Sequence, residues 1–494
     1  MAARVPYLGW GGEKGAAVVL GNLAEGLART ADGLVRSVED AGAAMSETLF
    51  EPTLRLGVTG LARAGKTVFI TSLVANLIDR GRMPQLAAAA EGRILTAFLQ
   101  PQPDDTLPRF HYEAHRAALL GPAPHWPDST RAVSELRLSL RLKPTGLLGG
   151  MTGPRVVHLD IIDYPGEWLL DLALMDKGFA RWSADTLARL DHRPGGAAYR
   201  AAVAALDPDA ALDEAQAQGL ARAFTDHLVA ARAAGFSDCT PGRFLLPGDL
   251  EGSPVLTFAP LPASAAPRGS LAREFDRRFE AYKAKVVRPF FRDHFARIDR
   301  QVVLADVLGA IHDGPRAVED LRRTMADILT AFRPGSASFL ARLLGAKRVD
   351  KVLFAATKAD HLHHSQHARL TAITEALVQD AKARADFAGA QTAAMCIAAL
   401  RATVEETRTH QGQPLDLVRG RLLEDGRQAA FYPGALPDDP AALLSPARAG
   451  AESWLDGDYG IMRFAPAVQS LKPGDGPPHI RLDRAAQFLI GDRL

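Results

Sequence analysis

Gly60-Leu61-Ala62-Arg63-Ala64-Gly65-Lys66-Thr67 fills every fixed position of the pattern G-x-x-x-x-G-K-[ST]. Each fixed residue has a physical task. The glycines let the backbone curl tightly and turn successive N–H groups inward as a nest for an anion. A helix beginning near Lys66 brings the positive end of its dipole to the same point. The Lys66 ammonium is expected to reach β- and γ-phosphate oxygens, and the Thr67 hydroxyl to ligate Mg²⁺. The flanks agree with this reading. Thr53 to Thr59 is extended and apolar, and Lys66 to Asp79 sets Val68, Leu73, Leu77 and Ile78 near helical spacing. Strand, glycine loop and helix in that order predict a phosphate loop, with Gly60, Arg63, Ala64, Gly65, Lys66 and Thr67 around the nucleotide.

Moving outward, Val133 to Leu142 alternates as a strand, with Leu136, Leu138, Leu140 and Leu142 on one side. Val156 to Ile162 is apolar almost throughout, as suits a strand buried on both faces. Asp163-Tyr164-Pro165-Gly166 follows it directly. An acid at a strand end beside a phosphate loop holds the Mg²⁺ shell, so Asp163 is assigned that task. Gly166 has no side chain to keep its N–H from the γ-phosphate. Glu167 stands where Ras-like GTPases carry a glutamine. It could orient water, or act as base with a raised pKa, but its charge beside a γ-phosphate is unfavourable. The competing reading is an exposed acid at a helix start. Thr130, with Ser129 as its alternate, is the candidate switch residue for a further Mg²⁺ bond. Arg63, unusual inside such a loop, is a candidate for stabilising charge.

Gln301 to Val307 and Lys351 to Ala356 read as further short buried strands. Thr357-Lys358-Ala359-Asp360 follows the second, in the pattern [NT]-K-x-D. The Asp360 carboxylate can accept from the ring N1–H and the exocyclic amine of guanine, while adenine would leave a buried acid unpaired. The stem of Lys358 would pack along the base. After a last strand at Met395 to Ala399, Ala399 and Leu400 are expected to touch guanine through their backbone. Lys66, Glu167 and Thr130 form the expected catalytic set, and Thr67, Thr130 and Asp163 the Mg²⁺ set. GTP would be substrate and GDP product. His361, His363, His364 and His367 cluster after Asp360, but no carboxylate or cysteine partner stands at a telling spacing from them, so they read as a solvated helix start rather than a metal site.

Composition sets the limits. Over 494 residues, Lys plus Arg number 58 and Asp plus Glu 57, a net charge of +1 that gives no support for broad nucleic-acid binding. Two cysteines, Cys239 and Cys396, build no disulfide framework and point to a reducing compartment. No secretory signal and no apolar run of bilayer-spanning length is visible. The expectation is a cytoplasmic protein, with peripheral contact at a membrane left open. Residues 14 to 50 suggest an amphipathic helix, and 171 to 299 turn alanine-rich and helical. Pro433 to Pro446 and Lys472 to Pro478 look like loops.

The phosphate-loop stretch, extended through Val68-Phe69-Ile70-Thr71, resembles the YcjX-like P-loop protein family of bacterial stress-associated proteins. So do Pro241 to Leu250 (PGRFLLPGDL), Val286 to Phe291, Asp299 to Leu308, Phe354 to His361, and the terminal His479 to Asp483 and Phe488 to Asp492. The matches run from about residue 50 to the C-terminus. The resemblance implies an α/β, Ras-like P-loop core that binds guanine nucleotide, a large mainly helical insertion and a C-terminal extension. It further implies a role in stress responses and a companion inner-membrane protein. The expected divisions are an N-terminal helical segment (1–51), core (52–170), insertion (171–299), core again (300–410) and extension (411–494). A slow regulatory GTPase is the leading reading. An ATPase or small-molecule kinase, or a nucleotide-binding scaffold with little hydrolysis, is the alternative.

Overall fold

The computed structural model describes residues 51–61, 63–128, 132–144, 153–293, 297–330, 349–387, 389–454, 457 and 459–494. The chain divides into two compact units, Met1–Thr53 and Leu54–Leu494. Of the first only residues 51–53 are described, so the helix expected over 14–50 lies outside the described residues, as do Thr130 and Ser129. The second unit carries the phosphate loop and the T-K-x-D segment.

Its spine is a seven-stranded mixed sheet in the order β2-β3-β4-β1-β5-β6-β7. The strands are β1 (Thr53–Gly60), β2 (Ile94–Gln100), β3 (Ser134–Leu142), β4 (Arg155–Asp163), β5 (Arg300–Ala305), β6 (Lys351–Ala356) and β7 (Gln391–Cys396). β1, β5, β6 and β7 run parallel, with Val58 opposite Val302, Val302 opposite Leu353 and Leu353 opposite Ala393. β2, β3 and β4 pair antiparallel. Alternation along β5 and β6 sends side chains into two separate cores. Val303, Ala305, Val352 and Phe354 face one, and Val302, Leu304, Leu353 and Ala355 the other. That two-faced burial explains why these strands read as continuous apolar runs. On β3 the same period puts Arg137 opposite Asp160 of β4, where Nε and Nη2 donate to the two carboxylate oxygens at 2.7 and 2.9 Å.

Helix α1 (Lys66–Ile78) follows the glycine loop and is buried nearly all round. Between β4 and β5 the chain is helical. It passes through α2 (Gly166–Leu170), α3 (Phe179–Leu187), α4 (Gly196–Ala204), α5 (Glu214–Ala233) and α6 (Leu271–Tyr282). An aromatic knot holds them, with Trp182 stacked on Phe279 at 5.0 Å and edge-on to Phe224 and Phe258. Helix α7 (Val307–Asp313) leaves β5, and α8 (His367–Leu377) fills the connection from β6 to β7.

Past β7 lies a second, three-stranded antiparallel sheet of β8 (Thr403–His410), β9 (Gln413–Arg421) and β10 (Gln428–Phe431). The expected loop at 433–446 instead ends in helix α9 (Ala441–Arg448), which tolerates Pro446 inside it. A last helix, α10 (Leu482–Ile490), returns to the main sheet and buries Leu482, Ala485 and Leu489 with β5 and β6 residues. Among the described residues no helix is long and apolar enough to cross a membrane.

Candidate functional site

The G-x-x-x-x-G-K-T loop leaves the C-terminal end of β1, a central strand of the sheet. Gly65 sits at φ +79° as the residue before α1, a left-handed conformation that favours glycine. Arg63 is also left-handed, at φ +64°, and exposed. The loop closes on itself through Ala64 N–H to the Leu61 carbonyl at 3.1 Å. Lys66 folds back across it, and Nζ donates to the Gly60 carbonyl at 3.2 Å. Thr67 is 7% exposed at the start of α1, and Asp163 is fully buried at the end of β4, the strand beside β1.

Gly166 lies against the loop itself. A Cβ there would stand 2.4 Å from the Gly60 carbonyl oxygen and 3.1 Å from the Leu61 nitrogen. The sequence values this glycine for access to phosphate; the structure adds close packing of α2 on the loop. Glu167 is not the exposed helix-start acid of the competing reading. It is 3% exposed, and its Oε1 lies 2.8 Å from Nη2 of Arg232, near the end of α5. Around it the Pro241–Leu250 stretch packs on α2. Gly242 N–H donates to Asp171 Oδ1 at 2.8 Å, and the Arg243 guanidinium lies 3.3 Å over the Trp168 ring. Burial pushes the Asp171 carboxyl up to about 7, against hydrogen bonds from Tyr282 and Gly242 that lower it.

Thr357-Lys358-Ala359-Asp360 caps β6. Thr357 N–H donates to the Ala305 carbonyl at 2.9 Å and Ala359 N–H to the Ile397 carbonyl at 3.0 Å, which ties the motif to the ends of β5 and β7. Lys358 is left-handed at φ +60°, and its ammonium pairs with Asp306 directly after β5. Asp360 is 4% exposed, and its Oδ2 accepts from Ala402 N–H at 2.8 Å. Thr403 Oγ1 donates to the Asp360 carbonyl. The loop after β7 therefore touches Asp360 through Ala402 and Thr403. Ala399 and Leu400 lie just ahead of them, beside the Ala398–Ile480 bridge.

A cleft of about 500 Å³ joins these parts. Leu61 and Arg63, Glu167 and Arg232, Asp306 and Lys358 all line it, and Leu422, Glu424 and Ile461 to Arg463 form its far wall. Lys66, Thr67, Asp163 and Asp360 are not among its lining residues. Three residues escape the sequence reading. Asp306 carries a usable signal, an acid at the end of a buried strand. Arg232 and Ala402 carry none, because only the fold brings them to Glu167 and Asp360.

The described unit is thus a mixed α/β protein with a parallel-rich sheet, carrying a G-x-x-x-x-G-K-T loop after β1 and a T-K-x-D segment after β6, two strands parted by β5. Its sequence matches the YcjX-like family, DUF463, over residues 54–494, and the chain belongs to that family. It is 38% identical over 457 residues to the Ras-like GTPase YcjX of Escherichia coli K12, covering 89% of this chain and 96% of that protein. It is 34% identical over 468 residues to the Ras-like GTPase YcjX of Shewanella oneidensis, covering 89% and 94%.

Proposed function

We propose that this protein binds and slowly hydrolyses GTP with Mg²⁺, as a regulatory switch. The observation that carries the reading is the convergence of Arg63, Glu167 and Lys358, from three sequence-distant motifs, on one cleft. The names of its relatives, both Ras-like GTPases, point the same way. In this reading Gly60 to Thr67 cradle the phosphates, with Ala64 and Gly65 offering backbone N–H groups and Lys66 offsetting the β- and γ-charges. Thr67 and Asp163 supply hard oxygen donors of the kind Mg²⁺ prefers, and Thr130 adds a third from the switch segment. The ion would draw charge from the β- and γ-oxygens. Gly166 approaches the γ-phosphate, and Glu167 orients the attacking water.

The Arg232 guanidinium answers the objection to a glutamate here, because it offsets the carboxylate charge that would repel the γ-phosphate. Thr357, Lys358 and Asp360 read guanine, with the backbone at Ala399 and Leu400 closing the pocket. One observation favours a second reading, a nucleotide-binding scaffold with little turnover: Glu167 is buried and held in an ion pair, so it is less free to serve water. Stress-linked function and a companion inner-membrane protein belong to the proposal through the family resemblance, and cytoplasmic location through the cysteine usage.

Asp360→Asn tests base choice. Ala402 N–H needs an acceptor, so the asparagine oxygen should turn to it and leave NH₂ toward the base. That group repels the guanine amine and suits the xanthine C2 carbonyl. GTP affinity is expected to fall by on the order of 2–4 kcal/mol while XTP gains. Calorimetry with GTP, XTP and ATP reads this directly. Unchanged GTP affinity with no XTP gain would sink the guanine assignment and promote an ATPase or kinase.

A further inference from the structure

Two histidines that follow the T-K-x-D segment meet carboxylates contributed by the second sheet. His364 Nδ1 lies 2.6 Å from Glu405 Oε2 of β8, and His363 Nε2 lies 3.7 Å from the same oxygen. The donor atoms of His363, His364 and Glu405 all fall within 4.8 Å of one another. The two rings stand 4.2 Å apart, tilted by 42°. In sequence the histidine cluster reads as metal-free because no acid stands at a ligand spacing from it. Folding overturns that ground, since β8 and β9 bring two.

The other side of His363 is also built. Its Nδ1 lies 3.2 Å from Asp416 Oδ2 of β9 and 2.9 Å from Ser365 Oγ. Asp416 is fixed by Thr407 Oγ1 at 2.9 Å, its partner across the β8–β9 ladder, and by Ser365 Oγ at 3.2 Å. The Ser365 hydroxyl proton is committed to Asp416, so the stronger contacts at Nδ1 call for a ring proton there. Ser365 N–H, at 3.4 Å, is a weaker competitor for that atom. A neutral ring protonated on Nδ1 then aims its Nε2 lone pair at the Glu405 carboxylate. The opposite tautomer aims its lone pair at Asp416. Either neutral tautomer turns one ring lone pair of this 9% exposed imidazole toward a carboxylate, an arrangement that a bound cation or a second ring proton would relieve.

We propose that His363, His364 and Glu405 bind a zinc ion, with Asp416 orienting His363 from behind. Two borderline imidazole nitrogens beside one carboxylate oxygen make a mixed N/O set that suits Zn²⁺ and not Mg²⁺, which seeks an all-oxygen octahedron. Tetrahedral ligands at zinc bond lengths stand roughly 3.3 Å apart, so His364 must retreat by about 0.7 Å and His363 approach by about 0.4 Å. His364 is 69% exposed at its side chain and free to move. A hydrogen bond from the remote ring nitrogen to a carboxylate is the usual support of a zinc-bound histidine. The ion would clip the segment after Asp360 to the sheet whose first residue, Thr403, with Ala402 just before it, already holds Asp360. Zinc binding itself does not depend on the GTPase reading.

The experiment is calorimetric titration of the full, chelator-stripped chain with ZnCl₂ in excess Mg²⁺, which occupies hard-oxygen sites. One Zn²⁺ per chain is expected, with a rise in melting temperature. His364→Ala should abolish both effects yet melt like wild type without zinc, since His364 is exposed, and Glu405→Gln should abolish zinc uptake. Asp416→Asn should bind about tenfold to a hundredfold more weakly. Cobalt(II) should give tetrahedral visible absorption in wild type only. No zinc uptake by wild type, or equal uptake by wild type and His364→Ala, overturns the proposal and leaves a charged imidazole as the cation.

Discussion

At Gly166 the site turns on a single missing methyl. The residue presses on the backbone at Gly60 and Leu61, not on a flexible side chain, so nothing nearby can yield cheaply. Gly166→Ala must push the first turn of α2 away from the loop or push the loop out of its curl. The substitution should leave the fold intact, because the strain sits in one loop, and weaken GDP and GTP by at least about tenfold, roughly 1.4 kcal/mol. Fluorescent-nucleotide titration checks it, and wild-type affinity in the variant would mean that α2 does not brace the loop. Residues of this kind are legible in the sequence because their chemistry is local: Gly65, Lys66 and Thr67 are contiguous, and Asp163 and Asp360 sit at strand ends announced by apolar runs. Arg232 is not legible. Its partner Glu167 lies 65 positions earlier in the numbering (232 − 167), and nothing in an alanine-rich helix distinguishes one arginine from the next.

The same contrast holds for elements. β1, β4, β5 and β6 are buried on both faces and can be read to within a residue or two, whereas four strands escape. β2 leaves Leu95 and Phe98 exposed on an edge, and β8 reads as the polar TVEETRTH, so neither shows the apolar pattern that marks a strand. α2 and its partner loop carry an element-scale prediction. Asp171 joins α2 to the Pro241–Leu250 stretch and to Tyr282 at the end of α6, in a place where burial lifts its carboxyl to about 7 from an ordinary 3.8. The folded state therefore prefers the protonated acid. The stabilising contribution is complete below the ordinary carboxyl range and is lost as pH rises through about 7. Its size is on the order of 4 kcal/mol between those limits. Asp171→Asn keeps the shape and fixes the neutral form. Urea unfolding at about pH 5 and about pH 8 should show wild type losing stability toward the higher pH more steeply than the variant. Parallel pH profiles would show that Asp171 ionises freely in place.

Across the whole molecule, the chain beyond β7 stitches itself back to the sheet that carries the site. Ile480 bridges to Ala398, the Pro477 carbonyl accepts from Asn76 of α1 at 3.1 Å, and Asp492 pairs with the buried Arg300 of β5 at 2.9 Å. The most consequential stitch is at Arg421, at the end of β9. Its Nη2 donates to the Pro124 carbonyl at 2.7 Å and to the Pro466 carbonyl at 3.0 Å, while Trp126 Nε1 donates to the Phe464 carbonyl at 2.8 Å. Pro124 and Trp126 immediately precede the segment proposed to act as a switch, and residues 461–463 wall the cleft. One guanidinium thus ties the chain before the proposed switch to the chain just past the cleft wall, and under the proposed reading a nucleotide leaving the cleft would work against that hold. Arg421→Ala removes both bonds and leaves two carbonyls to water, at a stability cost of about 1–3 kcal/mol. Release of fluorescent GDP should quicken by about tenfold if roughly 1.4 kcal/mol of that cost is felt on the path out. Trp126→Phe, which keeps the ring and loses the N–H, should quicken release in the same direction. Arg427→Ala is the control, since Arg427 lies in the same sheet region, is 83% exposed and pairs with its neighbour Asp425. Stopped-flow release that is equal in wild type, Arg421→Ala and Arg427→Ala would mean that the second sheet covers the cleft without restraining what lies inside.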